Sequence, residues 1–374
     1  MWGVPRPRRV LPIFAAGLLV TPALAGGAGT SAGDLDPSFG LDGKVLTDFG
    51  AFSNDEAFAV VLQPDGKIVA AGTGTPGATS DFALARYEED GELDPGFGSG
   101  GRVSTDLETG EIAFAVALQS DGKIVAAGFI SGDDFALVRY NVDGSLDSSF
   151  GSGGKVLTDF QTVDEAFAVA LQPDGKIVAG GFSDPGANTD FALARYNVDG
   201  SLDSSFGSGG KVLTDLGAMS SDRIRAVAVQ PDGKIVAAGI SNARGSSDFA
   251  VVRYRKDGSL DRRFGSGGRV LTDLGSSSSD AAHGVALRPG GRIVVAGVSD
   301  AGGSSDFAVV RYRRDGSLDR RFGSGGRVLT DLGSSSSDGA NGVALQPDGR
   351  IVAAGISNAV CCFEDFALVR YLAR

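Results

Sequence analysis

The chain has 374 residues, 42% of them hydrophobic, enough to bury a large core, which excludes a disordered chain. Its 58 Gly are about twice the usual share, yet with only 13 Pro the composition falls short of a low-complexity chain. One His, two Cys and a net charge of −12 exclude His-cluster metal sites, a disulfide scaffold and a nucleic-acid-binding surface.

The chain opens on Arg6, Arg8 and Arg9, followed by an apolar run over 10–20 and then Ala23-Leu24-Ala25. That is the order of a secretory signal: positive start, short apolar centre, small residues at the cleavage site. Cleavage is expected after Ala25, with 26–34 as a short linker. The run is shorter than the ~20 residues of a membrane span, and no later segment is long enough to cross. Arg8-Arg9 leaves a twin-arginine route open beside the general secretory one. The expected location is outside the cytoplasm: extracellular, at the cell surface or periplasmic.

From residue 35 one unit repeats six times. VLQPDGKIVAAG (61–72) returns at 117–128, 170–181, 228–239, 286–297 and 344–355. The Phe-Gly pair at 39–40 recurs at 97, 150, 206, 264 and 322, and Asp81-Phe82 recurs at 134, 190, 248, 306 and 365. A fixed period of 53–58 residues outranks any domain count taken from length, so 35–374 is read as one repeat domain.

Within the first unit the pattern predicts strands over Ala57–Gln63, Lys67–Gly72, Phe82–Tyr87 and Arg102–Leu107. Pro64-Asp65-Gly66 supplies a hairpin turn between the first two. Ala, Val and Gly crowd the first two strands, while Phe, Tyr and Arg gather in the third. Small residues belong where radially arranged sheets converge, so a six-bladed β-propeller of four-stranded antiparallel blades is predicted. A parallel β-helix is the alternative. The chain starts with an outer strand only (43–48) and ends just after a third strand, which predicts ring closure by 43–48 pairing with 366–371.

The segments LDPSFG, GGKVLTD, AFAVALQPDGKIVAAG and DFALARYNVDGSLD resemble the bacterial delta-60 repeat family over 35–374. The resemblance implies a β-propeller and export. It carries no catalytic residues.

Three acidic sets fall on one end of the predicted ring, where the loops also vary. The set opening the inner strands, Asp55, Glu111, Asp164, Asp222, Asp280 and Asp338, is the candidate metal set, and Ca²⁺ is the cation that carboxylate-rich loops suit. The same aspartates fit as Asx-turn acceptors, which is the reading the spacing favours, because no Ca²⁺-loop signature is present. The regular Arg of the third strand (Arg86 and its equivalents) needs a buried partner, and one of these acidic sets is the candidate. At the mouth of the axial channel one position varies: Phe58, Phe114, Phe167, Arg225, His283 and Asn341 form a candidate ligand pocket. Arginines cluster on the rims of two adjacent units (253–269 and 311–327), a surface for an anionic partner or the result of duplication. Cys361-Cys362 is assigned no function.

The expected function is a non-enzymatic, exported scaffold that uses its variable acidic face to bind a protein or glycan partner. A channel-metal hydrolase or lactonase and a structural cell-surface component are the alternatives. No catalytic residue is assigned, no nucleic-acid partner is expected, and the protein is expected to be a monomer.

Overall fold

Each repeat folds as a short antiparallel meander, because its hydrophobic runs are strand-length and a Gly-containing turn separates the first two. A computed structural model describes residues 36–372, apart from 51–53, 76–78, 109, 132–133, 162, 187, 334–335 and 359–364. The expected leader (1–25) and Cys361-Cys362 lie outside the described residues.

The first blade comprises β1 (Glu56–Leu62), β2 (Ile68–Gly74), β3 (Asp81–Tyr87) and β4 (Arg102–Thr105), within two residues of the predicted bounds. The second holds β5 (Glu111–Leu118), β6 (Ile124–Ile130), β7 (Asp134–Tyr140) and β8 (Lys155–Thr158). The third holds β9 (Val163–Leu171), β10 (Ile177–Asp184), β11 (Asp190–Tyr196) and β12 (Lys211–Thr214). The fourth holds β13 (Asp222–Val229), β14 (Ile235–Ser241), β15 (Asp248–Tyr254) and β16 (Arg269–Thr272). The fifth holds β17 (Asp280–Leu287), β18 (Ile293–Ser299), β19 (Asp306–Tyr312) and β20 (Arg327–Thr330). The sixth holds β21 (Asp338–Leu345), β22 (Ile351–Ser357) and β23 (Asp365–Tyr371). Strand order in every sheet follows the chain, and all pairings between these strands are antiparallel. The innermost strands β1, β5, β9, β13, β17 and β21 neighbour one another in sequence order. The protein is an all-β six-bladed propeller.

Turn chemistry fixes the first hairpin of each blade. Gly66 takes φ +89°, and the chain closes with Gln63 N–H donating to Lys67 O at 2.8 Å. Glycine reaches that left-handed conformation without steric penalty. The core is not one mass but five apolar clusters among the described residues, each shared between successive blades. Leu84, Leu137 and Leu193 are fully buried in them. At each junction a Tyr of one third strand shares a hydrogen bond with a Thr of the preceding outer strand, as in Tyr140–Thr105 at 2.9 Å and Tyr254–Thr214 at 2.9 Å.

The predicted pairing of 43–48 with 366–371 is not formed. Among the described residues β23 pairs with β22 alone, and 43–48 makes no ladder. The segment instead docks on the flank of the first blade as an outer strand docks on the next blade: Thr47 Oγ1 meets the Tyr87 hydroxyl at 2.7 Å, and Gly40 N–H donates to Asp90 O at 2.6 Å. The inter-blade half of the closure is therefore made and the in-blade half is not. Val60, Leu62 and Leu368, whose counterparts pack across the other junctions, are 65%, 69% and 72% exposed at this seam.

Candidate functional site

At the loop end of the ring, each junction between blades brings three carboxylates together. One stands at the start of a third strand, one just after the outer strand, and one at the start of the next innermost strand. The groups are Asp81, Asp106 and Glu111; Asp134, Asp159 and Asp164; Asp190, Asp215 and Asp222; Asp248, Asp273 and Asp280; and Asp306, Asp331 and Asp338. Within each, one oxygen from every carboxylate lies within 4.8 Å of the other two. The candidate metal set is thus spread one residue per junction, each joined by members of the other two acidic sets. Asp55 has no such group among the described residues.

The Asx turns fall on the outer-strand acids Asp106, Asp215, Asp273 and Asp331, each accepting the N–H two residues on, whereas the candidate metal set accepts backbone N–H groups four or six residues upstream. Leu216 N–H donates to Asp222 Oδ2 at 2.8 Å, Leu274 N–H to Asp280 Oδ2 at 2.7 Å and Leu332 N–H to Asp338 Oδ2 at 2.8 Å. Phe160 N–H and Phe49 N–H reach Asp164 and Asp55 in the same way, and Leu107 N–H reaches Glu111 Oε1. Each of these bonds occupies one oxygen of its carboxylate. Burial, with the charges of Asp215, Asp222 and Asp184, pushes Asp190 up to about 6. Burial likewise raises Asp222, Asp248, Asp280 and Asp306, with neighbouring carboxylates adding to the shift. Chemically, such groups hold either a shared proton or a hard cation.

The channel-mouth set is brought together by a feature the sequence did not reveal. Phe58, Phe114, Phe167, Arg225, His283 and Asn341 are the bulged residues of the six innermost strands, each the point where the register with the second strand slips. A bulge re-aims its side chain, here toward the axis. Opposite every bulge stands the last Gly of the IVAAG-type motif. A Cβ at Gly72, Gly128, Gly181, Gly239, Gly297 or Gly355 would overlap the bulged strand's backbone, its carbonyl oxygen first. Phe114 sits with its ring centroid 5.0 Å from both Phe58 and Phe167, and the Arg225 guanidinium lies 4.2 Å above Phe167. His283 Nδ1 is 3.1 Å from Ala340 O, and burial together with Arg225 pushes its pKa down. The mouth is a packed aromatic and cationic arc.

The opposite end is held by ion pairs. Arg86 does not pair with a loop-end acid, contrary to expectation. It pairs with Asp94 at 2.7 Å, and Arg139, Arg195, Arg253 and Arg311 pair with Asp147, Asp203, Asp261 and Asp319. Each guanidinium also covers a Phe ring, Phe97 through Phe322, at 4.5–4.7 Å. The first four donate across the junction as well, Arg86 to Val142 O and Arg253 to Arg314 O. Burial alone would raise Asp94, but bonds from Lys67, the Gly96 N–H and Arg86 outweigh it and hold the carboxyl at about 2. The signal for this pairing was the constant eight-residue spacing from Arg to Asp. Between the fourth and fifth blades the rim arginines line a cleft of about 660 Å³ with Lys234, Arg255, Arg263, Arg313 and Arg314 around it.

Among the described residues no helix is long and apolar enough to cross a membrane. No curated protein matches the chain. Among solved structures, the chain is similar to the extracellular domain of the putative one component system BT4673 from B. thetaiotaomicron, at 12% identity and TM-score 0.42. That match covers 79% of this chain but only 30% of that one. It is similar to Sqt1 from Chaetomium thermophilum, solved bound to the N-terminus of ribosomal protein L10, at 14% identity over 81% of this chain and 71% of that one, TM-score 0.44. The PQQ-bound aldose sugar dehydrogenase of Streptomyces coelicolor matches at 16% identity over 87% of this chain and 96% of that one, TM-score 0.46. Six stretches, 63–97, 119–150, 172–206, 230–264, 289–322 and 346–373, match the β-propeller domain of unknown function DUF5122. They span more than half of the chain and all six blades, and the chain belongs to the DUF5122 β-propeller family.

Proposed function

We propose that the protein is an exported, non-enzymatic scaffold of the delta-60 type, released from a leader over 1–25, whose variable acidic end contacts a partner protein or glycan. The observation that carries this reading is the difference between the two ends of the ring. The carboxylate groups and the variable loops share one end, whereas the other is tied by buried Arg–Asp pairs in five of the six blades. The channel mouth supports the same reading over hydrolysis by a channel metal. Three of its six positions are Phe packed ring to ring, and none of the six belongs to a carboxylate group.

Retention of labelled protein on intact producing cells tests the proposal. Met219, 86% exposed in a loop of the variable end, is replaced by Glu; Val142 and Val198, exposed at the opposite end, are replaced by Glu in a second variant. Retention should fall several-fold for Met219→Glu and stay unchanged for the Val142→Glu/Val198→Glu pair. The reverse pattern overturns the reading. So does lactone or ester turnover that disappears on His283→Ala or Arg225→Ala.

A further inference from the structure

We infer that the junction carboxylates are divalent-cation sites, with Ca²⁺ the ion they suit, the best-defined being Asp248, Asp273 and Asp280 between the fourth and fifth blades. Ca²⁺ takes oxygen ligands at about 2.3–2.6 Å, so two oxygens on opposite sides of one ion stand ~5 Å apart. Oxygens that all lie within 4.8 Å of one another can therefore reach the same ion.

Turn geometry does not account for this group. It explains Asp273, whose Oδ1 accepts from Gly275 N–H at 2.9 Å, and Asp280, whose Oδ2 accepts from Leu274 N–H. It does not explain Asp248, which is fully buried and has no hydrogen-bond donor on either carboxylate oxygen. Asp280 is fully buried too, and its Oδ1 is likewise without a donor. The nearby Arg244 donates to Leu271 O at 3.3 Å, and its charge favours the Asp248 carboxylate without offsetting the burial. A buried carboxylate lacking donors is costly, and one placed against two more carboxylates is costlier. A bound dication removes both penalties together.

The donor set selects the class of ion. It offers oxygen only, no nitrogen or sulfur, which suits a hard cation rather than zinc or copper. Three carboxylates leave several positions for water, which the 6–8-fold, variable geometry of Ca²⁺ accepts more readily than the strict octahedron of Mg²⁺. The same arrangement recurs at the other junctions, where Asp222 and Asp338 also leave a buried Oδ1 without a donor. Because each group draws on two blades, a cation there would clip neighbouring blades together at the loop end.

The test is calorimetric titration of chelator-treated protein with CaCl₂, with Tb³⁺ luminescence as a second readout. Saturable binding approaching five ions per chain is expected, one for each group, with equimolar Mg²⁺ a weak competitor. Asp248→Asn should lower the stoichiometry by one. Asp273→Asn, at a partly exposed position where the amide oxygen still accepts the Gly275 N–H, should do the same and decides the matter if Asp248→Asn does not fold. Asp257→Asn, in a turn at the opposite end, should bind as the parent does. No saturable Ca²⁺ binding, or an unchanged stoichiometry in the folded variants, overturns the inference.

Discussion

Asp147 and Asp261 occupy the same position in successive repeats, yet they are held differently. Asp147 receives Lys123 at 2.8 Å as well as Arg139, whereas Asp261 has Arg253 as its one ion-pair partner among the described residues. Both carboxylates are buried. Removing one member of a buried pair costs about 3–5 kcal/mol, because the other charge is left without compensation. Arg253→Met should therefore destabilise near the upper end of that range, and Arg139→Met by less, since Lys123 remains. Urea unfolding of the two variants checks the order. Asp94, Asp147 and Asp203, which share this position in the first three blades, are held below the usual carboxylate range and set the acid limit of stability. Asp94 is held at about 2, against ~3.9 in an unfolded chain. A depressed carboxyl contributes its stability above the unfolded value and loses it as pH falls through the folded one. Through this group stability should fall between pH ~4 and ~2, while the raised Asp190 adds stability as pH falls from ~6 to ~4, so thermal midpoints should rise gently toward pH 4 and drop below it; a decline already complete at pH 5 would contradict the assignment. The sequence showed that the third-strand Arg needed a partner. It did not show which acid, because three other acidic sets repeat with equal regularity and only packing distinguishes them.

Strand for strand, the blade was legible. Hydrophobic run lengths and the Asp-Gly turns placed β1–β4 within two residues of their observed bounds. The bulge in each innermost strand was not legible, because it is a slip of register against a partner and changes no residue's character. Its trace was present in the unvarying Gly of the second strand, which makes room for the bulged backbone. Gly239→Ala forces a Cβ into Arg223 O and the neighbouring backbone, and should cost about 1–3 kcal/mol as an overpacked site. Gly342→Ala is the control: its Cβ would meet nothing within 4 Å, and the equivalent position is Ala in four other units, such as Ala226. That variant should unfold within ~0.5 kcal/mol of the parent. Equal losses in the two would contradict the bulge. The same device explains how the six varied positions come to share the channel mouth, which repeat alignment located without giving the cause.

At the scale of the ring, the number of blades followed from counting repeats, while closure did not follow from the matching ends. Whether 43–48 meets β23 depends on the angle accumulated over six blades, which no single unit encodes. Among the described residues no strand pairing closes the seam, and apolar side chains are exposed on both sides of it. Leu193 is fully buried and its equivalent Leu368 is 72% exposed. Leu193→Ala should cost about 2–5 kcal/mol, and Leu368→Ala under ~0.5 kcal/mol. Comparable losses at both positions would show that the seam is laced in solution.

The two ends of the ring are built differently: the loop end gathers the carboxylate groups proposed to take cations, and the turn end holds the blades through buried Arg–Asp pairs. Hydrogen exchange resolved by segment, on the full-length protein with and without millimolar Ca²⁺, tests it most directly. Slowed exchange should be confined to the loop-end segments 105–111, 158–164, 214–222, 272–280 and 330–338. The Asp-Gly turns and the 88–92-type turns at the other end should be unaffected. Exchange that is unchanged throughout, or slowed equally at both ends, would contradict it.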